Sequence, residues 1–356
     1  MYQGKPVRLI LENGMVFQGK SFGAEKTTSG EVVFNTAMVG YPESLTDPSC
    51  EGQILTFTYP IIGNYGVPAN SKTNGISDFF ESDRIHARGV IVQDYSYEYS
   101  HWNAKRSLSD WMKEENIPGI YGIDTRMLTK ILRENGSMLG KIVYGDEDEV
   151  EYYDPTSENL VDKVSCREII EYDYGEKKVV LVDCGVKLNI VRELIKQKVD
   201  LIRVPWDYDF NQMEYDGLVI SNGPGSPDYC EITVHHIREA MQSDKPIFGI
   251  CMGNYLLSKA AGAKIYKMKH GHRGLSQPVR KVGTNICYIT SQNHGYAVDQ
   301  DFLDDDWEPY FINMNDGTNE GVRHKTKPFY SVQFHPEAAA GPTDTLFFFQ
   351  DFVKML

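Results

Sequence analysis

The sequence predicts an α/β protein: a C-terminal open, mostly parallel sheet flanked by helices, preceded by a separate mixed α/β, strand-rich domain. Three observations carry this. From Lys178 onward, short strands apolar on both faces alternate with amphipathic helices, the pattern of a parallel sheet covered on both sides. Before Gly145, strand signals outnumber helix signals. Between the two lies a stretch, residues 145–176, whose composition matches neither. The 356 residues are enough for two domains at roughly 100–200 residues each.

In residues 1–144, Val7–Leu11 and Met15–Phe17 flank Asn13-Gly14, the favoured two-residue hairpin turn. Glu31–Asn35, Gln53–Thr58 and Gly89–Val92 read as further strands. Helices are expected at Ser107–Glu115 and Thr125–Glu134, the second N-capped by Asp124 and stopped by Asn135-Gly136. Gly14–Ser21 fits the phosphate-loop pattern G-x-x-x-x-G-K-S letter for letter. That motif needs a strand before its glycines and a helix starting at its lysine. The hairpin occupies those residues instead, and ATP binding by this chain is not expected.

The charge is uneven. Against 36 Lys and Arg stand 50 Asp and Glu, a net of −14. Residues 1–144 and 177–356 each carry −2, whereas residues 145–176, which open with Asp146-Glu147-Asp148-Glu149, carry −10. This stretch reads as an acidic, solvated linker between domains, or as a contact site for a basic partner. Acidity repels phosphate backbones and anionic lipid, so neither nucleic acid nor a membrane is an expected partner. The six cysteines (Cys50, Cys166, Cys184, Cys230, Cys251, Cys287) contain no C-x-x-C pair. That argues against a zinc site and a disulfide framework. With no targeting signal near Met1, a reducing, cytoplasmic location is expected.

The second domain, residues 177–356, starts with the strand Lys178–Asp183, the helix Leu188–Val199, and the strands Leu201–Val204 and Gly217–Ser221. The helix Glu231–Gln242, the strand Pro246–Ile250 and the helix Gly253–Ala261 follow. After Lys264 the chain turns strand-rich (Ile286–Thr290, Phe311–Met314, Phe329–Phe334) and closes with a helix, Thr343–Leu356. In such folds, ligands gather at the C-terminal ends of the parallel strands.

The sharpest feature there is Gly249-Ile250-Cys251-Met252-Gly253. A nucleophile on a strand–helix turn has a strained backbone and needs small residues two before and two after. Its sulfur stands at a helix N-terminus, which favours thiolate, and the Met252 N–H can serve an oxyanion hole. Phe334-His335-Pro336-Glu337 ends a strand. Pro336 biases His335 toward extended geometry, so the Glu337 carboxylate can face the imidazole and set its tautomer. Other histidines fit less well: His235-His236 mid-helix, with no carboxylate patterned beside it; His270 and His272 in a Gly/Lys loop; His294 with no acid two positions on. Ser221–Pro227 (SNGPGSP) is a rigid loop after a strand, sited for a second oxyanion donor facing Cys251.

With these residues in view, the sequence resembles the small, glutamine-hydrolysing subunit of carbamoyl-phosphate synthase. Residues 177–356 resemble a class I (triad) glutamine amidotransferase through SNGPGSP, GICMG and FHPE. Gly30–Ser49, Gln53–Gly66 and Gly122–Gly136 resemble the N-terminal domain peculiar to that small subunit. The resemblance implies Cys251 as nucleophile, His335 as base and acid, and Glu337 as its orienter. It implies L-glutamine contacts from Ser49, Gly223, Gly225, Met252, Asn293, Gly295 and Tyr296. It also implies a large ATP-dependent partner subunit, in a heterodimer or larger assembly serving arginine or pyrimidine formation. No cofactor is expected in this chain, with ATP and magnesium only in the partner. Gly253-Asn254-Tyr255 departs from the family's Gly-His-Gln. The family's Gln is expected to touch substrate, so Tyr255 is read as a pocket wall that alters glutamine affinity. The alternatives are an amidotransferase for another synthase, such as one making anthranilate or guanylate, and a non-catalytic regulatory subunit whose glutamine pocket Tyr255 impairs.

Overall fold

The computed structural model describes residues 4–145 and 150–356, in two compact units, Met1–Ser157 and Glu158–Leu356. In the first unit, the strands Pro6–Leu11 and Val16–Ser21 form the expected hairpin, with Gly14 at φ +85° in its turn. The phosphate-loop look-alike is therefore strand and turn. Seven strands close into a barrel, in the order Pro6–Leu11, Met138–Tyr144, Thr28–Asn35, Gln53–Phe57, Gly89–Ile91, Gly119–Tyr121, Val16–Ser21. Closure leaves these strands no free edge. Leu9, Val32, Ile54, Ile120 and Ile142 are buried together with Leu128 and Leu132 of the helix Thr125–Asn135. Asp124 caps that helix, its Oδ1 accepting from Met127 N at 2.8 Å. Ser107 caps Leu108–Glu114 in the same way. The strand-rich character was legible from local signals, whereas barrel closure depends on pairings far apart in sequence.

The second unit holds a ten-stranded sheet. Its middle is parallel: Asp200–Pro205, Lys178–Asp183, Gly217–Ile220, Ile247–Ile250 and Phe329–Val332 lie side by side in that order. Beyond Phe329–Val332 the sheet continues antiparallel through Asn319–His324, Trp307–Asn313, Lys264–Lys281 and Cys287–Asp299. The two faces are covered by different elements. Ile247 points into a cluster with Val234 and Ile237 of the helix Glu231–Ala240 and Leu256 of the helix Met252–Ala260. Phe248, the next residue, points the other way and stacks on Tyr330 at 4.7 Å and Phe348 at 5.9 Å. Phe348 lies on the closing helix Phe347–Val353.

Several expectations change. The Asp146–Glu149 run lies outside the described residues. The division between units falls after Ser157, not at 144 and 177, and residues 158–176 are part of the second unit. Leu160 and Val161 of the helix Leu160–Val164 are buried, and Ile170–Tyr172 adds an antiparallel edge strand to Asp200–Pro205. A charge count overlooks an apolar pair that anchors a segment. His270 and His272 lie in the strand Lys264–Lys281 rather than a loop. Pairing with Cys287–Asp299, His272 opposite His294, overrides the local glycine signal. The closing helix is shorter than expected, starting only at Phe347, after Gly341 at φ +150° and Pro342 have turned the chain.

Phe248→Ala should lower the stability of the second unit by about 3–5 kcal/mol in urea unfolding, since its ring is fully buried among Tyr330, Phe348, Phe349 and Phe352. A cost below about 1 kcal/mol would show that this stack does not hold the closing helix.

Candidate active site

Cys251 sits between the strand Ile247–Ile250 and the helix Met252–Ala260, at φ +53° and ψ −97°. A side-chain-bearing residue is held there only if its surroundings over-determine it. They do. Its N–H donates to Val332 O at 2.9 Å, continuing the strand pairing to the turn, and its own carbonyl accepts from Asn254 N at 3.0 Å. The flanking glycines are obligatory: a Cβ on Gly249 would lie 2.5 Å from Gly253 O, and one on Gly253 would lie 2.2 Å from Ile220 O.

The Ser221–Pro227 loop is tied to this elbow by Gly253 N–H donating to Ser221 O at 3.0 Å. A Cβ on Gly223 would meet Cys184 O at 2.1 Å, and Gly225 has φ +80°, so both glycines are required by the backbone path.

His335 continues the line of Phe329–Val332, and its N–H donates to Ser291 O at 2.9 Å. Its Nδ1 lies 2.7 Å from Glu337 Oε1, and both residues are buried. Its Nε2 is buried and makes no hydrogen bond among the described residues. Burial alone would push the imidazole down, but the Glu337 charge and the neighbouring Cys251 sulfur outweigh it and raise the pKa to about 10. Burial would push Glu337 up; Lys187 and His335 hold it down to about 2.

Lys187 is the residue that sequence reasoning missed. It is 4% exposed, with Nζ 3.1 Å from Glu337 Oε1 and donating to Ala338 O at 2.7 Å. Asp183, at the end of the strand Lys178–Asp183, positions it: Oδ1 accepts from Gly185 N and Val186 N at 2.9 and 2.8 Å. Arg203 pairs with the other oxygen of Asp183. A signal was available, because a lysine amid apolar residues just past a central parallel strand sits where sites gather. Asn189 Nδ2 also donates to Glu337 O.

Of the residues expected to contact glutamine, Met252 opens the elbow helix. Asn293, Gly295 and Tyr296 lie on Cys287–Asp299, the strand whose Ser291 bridges to His335. Ser49 belongs to the first unit, in the 3-10 turn Pro48–Cys50, where its N–H donates to Asp47 Oδ1 at 2.8 Å. Tyr255 is fully engaged by the protein. Its hydroxyl donates to Tyr296 O and accepts from Gln333 Nε2, both at 2.9 Å.

Among the described residues, two groups of side chains bring metal-ligating atoms within 4.8 Å of one another: the buried His272, His294 and Glu320, and Asp209, His236 and Glu239. In the buried group, His272 Nε2 lies 2.9 Å from Asp316 Oδ2 and Nδ1 3.2 Å from Glu320 Oε1, which also accepts from Asn313 Nδ2 at 2.8 Å. Burial pulls the His272 pKa down, but Glu320 and Asp316 raise it overall, while burial raises that of Glu320. The other group, Asp209, His236 and Glu239, pairs the buried His236 with the two more exposed carboxylates at 3.6 and 3.8 Å. His235 lies 3.5 Å from Glu239. The helical His pair does have a carboxylate beside it, at an i,i+4 spacing that was readable in the sequence.

Residues 9–142 match the family model described as carbamoyl-phosphate synthase small chain, CPSase domain, and residues 180–355 match glutamine amidotransferase class-I. The chain is 50% identical to the multifunctional protein pyr1-3 of Dictyostelium discoideum, over 97% of this chain and 17% of that protein. It is 46% identical to the mitochondrial carbamoyl-phosphate synthase [ammonia] of Mus musculus, over 99% of this chain and 24% of that one. It thus spans a quarter or less of those two relatives. The mitochondrial name of the mouse relative overturns the expected cytoplasmic location. Free thiols indicate a reducing environment, which does not specify one compartment. A third relative, the arginine-specific carbamoyl phosphate synthase small chain of Saccharomyces cerevisiae, is 47% identical over 96% of this chain and 86% of its own length. With both domains matched and a relative of nearly equal extent, the chain belongs to the carbamoyl-phosphate synthase small-chain family.

Proposed function

We propose that this chain hydrolyses L-glutamine, with Cys251 as nucleophile, His335 as proton carrier and Glu337 as its orienter. One observation carries the reading: a cysteine on a strained strand–helix elbow beside a buried imidazole whose far nitrogen is paired with a carboxylate at 2.7 Å. The Cys251 thiolate attacks the side-chain amide carbon of glutamine. The Met252 N–H and the Gly223–Gly225 loop stabilise the oxyanion, and His335 gives its proton to the departing ammonia. Water then attacks the γ-glutamyl thioester while His335 takes its proton, releasing glutamate and restoring the thiolate. Asn293, Gly295 and Tyr296 serve as glutamine contacts. Lys187 keeps Glu337 ionised, and so fixes the imidazole tautomer.

The ammonia passes to a large ATP-dependent synthetase that makes carbamoyl phosphate from bicarbonate, with ATP and magnesium held there. Residues 1–144 serve as the docking domain for that partner. Support comes from the relatives in which the matching segment is a small part of a much longer chain. The product serves arginine or pyrimidine formation.

Two observations favour a second reading, a regulatory subunit that does not turn glutamine over. The Tyr255 hydroxyl is saturated by protein groups and offers the substrate nothing, and the mouse relative is named for ammonia. Covalent trapping by a diazo-ketone glutamine analogue separates the two: label on Cys251 supports hydrolysis, and its absence supports the regulatory subunit.

Cys251→Ser should abolish glutamine-dependent carbamoyl phosphate synthesis and leave ammonia-dependent synthesis intact in the full complex. Glutaminase activity surviving in that variant would sink the assignment.

Glu337→Gln should cost about 3–5 kcal/mol at pH 7, because it leaves the buried Lys187 and His335 charges without their carboxylate. Glu337 titrates near 2 in the fold against its ordinary 4.5, so its stabilisation is complete above pH 4.5 and lost as pH falls toward 2. The stability gap between wild type and variant should close over that interval in denaturant titrations. His335 supplies the opposite limb: with its pKa raised from 6.5 to about 10, its stabilisation is complete below pH 6.5 and fades as pH rises toward 10. A gap that does not change with pH would show that the Glu337 charge is not its source.

A further inference from the structure

Beneath the elbow runs a chain of buried side chains. Ser331 Oγ donates to Asn254 Oδ1 at 2.8 Å, Asn254 Nδ2 to Gln333 Oε1 at 2.6 Å, Gln333 Nε2 to Tyr255 OH at 2.9 Å, and Tyr255 OH to Tyr296 O at 2.9 Å. The direction of every bond is consistent: an amide donates to the phenol, whose single proton goes to a backbone carbonyl. The chain joins three elements of the site. Asn254 and Tyr255 are on the elbow helix, Ser331 and Gln333 are on the segment that leads to His335, and Tyr296 ends the Asn293–Tyr296 segment.

That last segment lies where the strand pairing changes register. Tyr296 pairs with Lys267 and His294 with His272, and the register shifts between those pairs. Gly295 alone therefore faces residues 268–271 of the neighbouring strand, where the regular ladder is interrupted. At this gap the Tyr255 hydroxyl meets the backbone at Tyr296 O. Tyr255 is 2% exposed, follows Cys251 by one helical turn, and its ring meets the Tyr296 ring edge-on at 6.2 Å.

We propose that Tyr255 is a positioning residue for glutamine: by bonding the Tyr296 carbonyl, its hydroxyl holds the Asn293–Tyr296 segment against the elbow helix and sets substrate affinity. This rests on the glutamine-hydrolysing reading above. Tyr255 is then neither a direct substrate ligand nor an obstruction. Where the register shifts, it adds a tie from the elbow helix to a carbonyl that His294 Nδ1 also approaches, at 2.9 Å.

The test is steady-state glutaminase kinetics on the full protein. Tyr255→Phe keeps the ring that fills the core and removes only the hydroxyl. It should raise KM for glutamine about tenfold, with kcat and its pH profile within about twofold of wild type. Ser331→Ala breaks the same chain at its far end while leaving the Tyr255–Tyr296 bond. It should lower the melting temperature and leave KM within about twofold of wild type. An unchanged or lower KM in Tyr255→Phe, or an equal rise in Ser331→Ala, would overturn the positioning role. Absence of glutamine hydrolysis by the wild-type protein would instead overturn the functional reading, and this inference with it.

Discussion

Placing a cysteine at the end of a central parallel strand, with φ at +53°, imposes a backbone conformation that ordinary residues avoid at a cost of order 1–3 kcal/mol. Much of the second unit follows from sustaining it. The strand before Cys251 is clamped on both sides, by Gly217–Ile220 and Phe329–Val332. The helix after it packs so closely on the sheet that Gly253 has no room for a Cβ next to Ile220 O. The same close approach lets Gly253 N–H reach Ser221 O, which draws the SNGPGSP loop to the elbow. Strain at one residue is thus maintained by the packing of four elements.

The second constraint is electrical. Three groups that carry charge at neutral pH, Lys187, Glu337 and His335, are buried together. Isolated, each would be expelled from the interior or neutralised. Together they offset that cost: Lys187 and His335 pull Glu337 far below its ordinary range, and His335 is raised above its own despite burial. Buried ion clusters of this kind contribute little net stability, so their presence is better explained by what they position. Asp183, itself buried and paired with Arg203, spends its second oxygen on the turn that delivers Lys187. One buried salt bridge thereby sets the backbone of another.

Legibility differed by residue in ways that physical range explains. Cys251, His335 and Glu337 each sit in a local pattern, an elbow or a two-residue spacing, that a short window contains. Lys187 reaches Glu337 across 150 residues of sequence, and no window holds both. Helix caps at Asp124 and Ser107 were readable because a cap acts within four residues. His272 was misplaced because its loop-like neighbours, Gly271 and Gly274, are overridden by pairing to a strand about 20 residues on. Over residues 145–176 acidic composition reads as linker, but it is an average that conceals the buried Leu160 and Val161.

The sequence by itself determined the two-part organisation, the α/β alternation, the strand–helix elbow at Cys251 and the His335–Glu337 pair. All of these rest on periodicity, turn chemistry or spacing over a few residues. Tertiary structure alone decided that seven strands of the first unit close into a barrel, and that His272 is shared by two carboxylates. It also decided that Lys187 completes the charge cluster and that the Tyr255 hydroxyl spans to Tyr296. These depend on burial and on donors and acceptors brought together from distant segments. Hydrogen bonds and ion pairs act over about 3–4 Å of space, and sequence separation carries no information about that distance until the chain has folded.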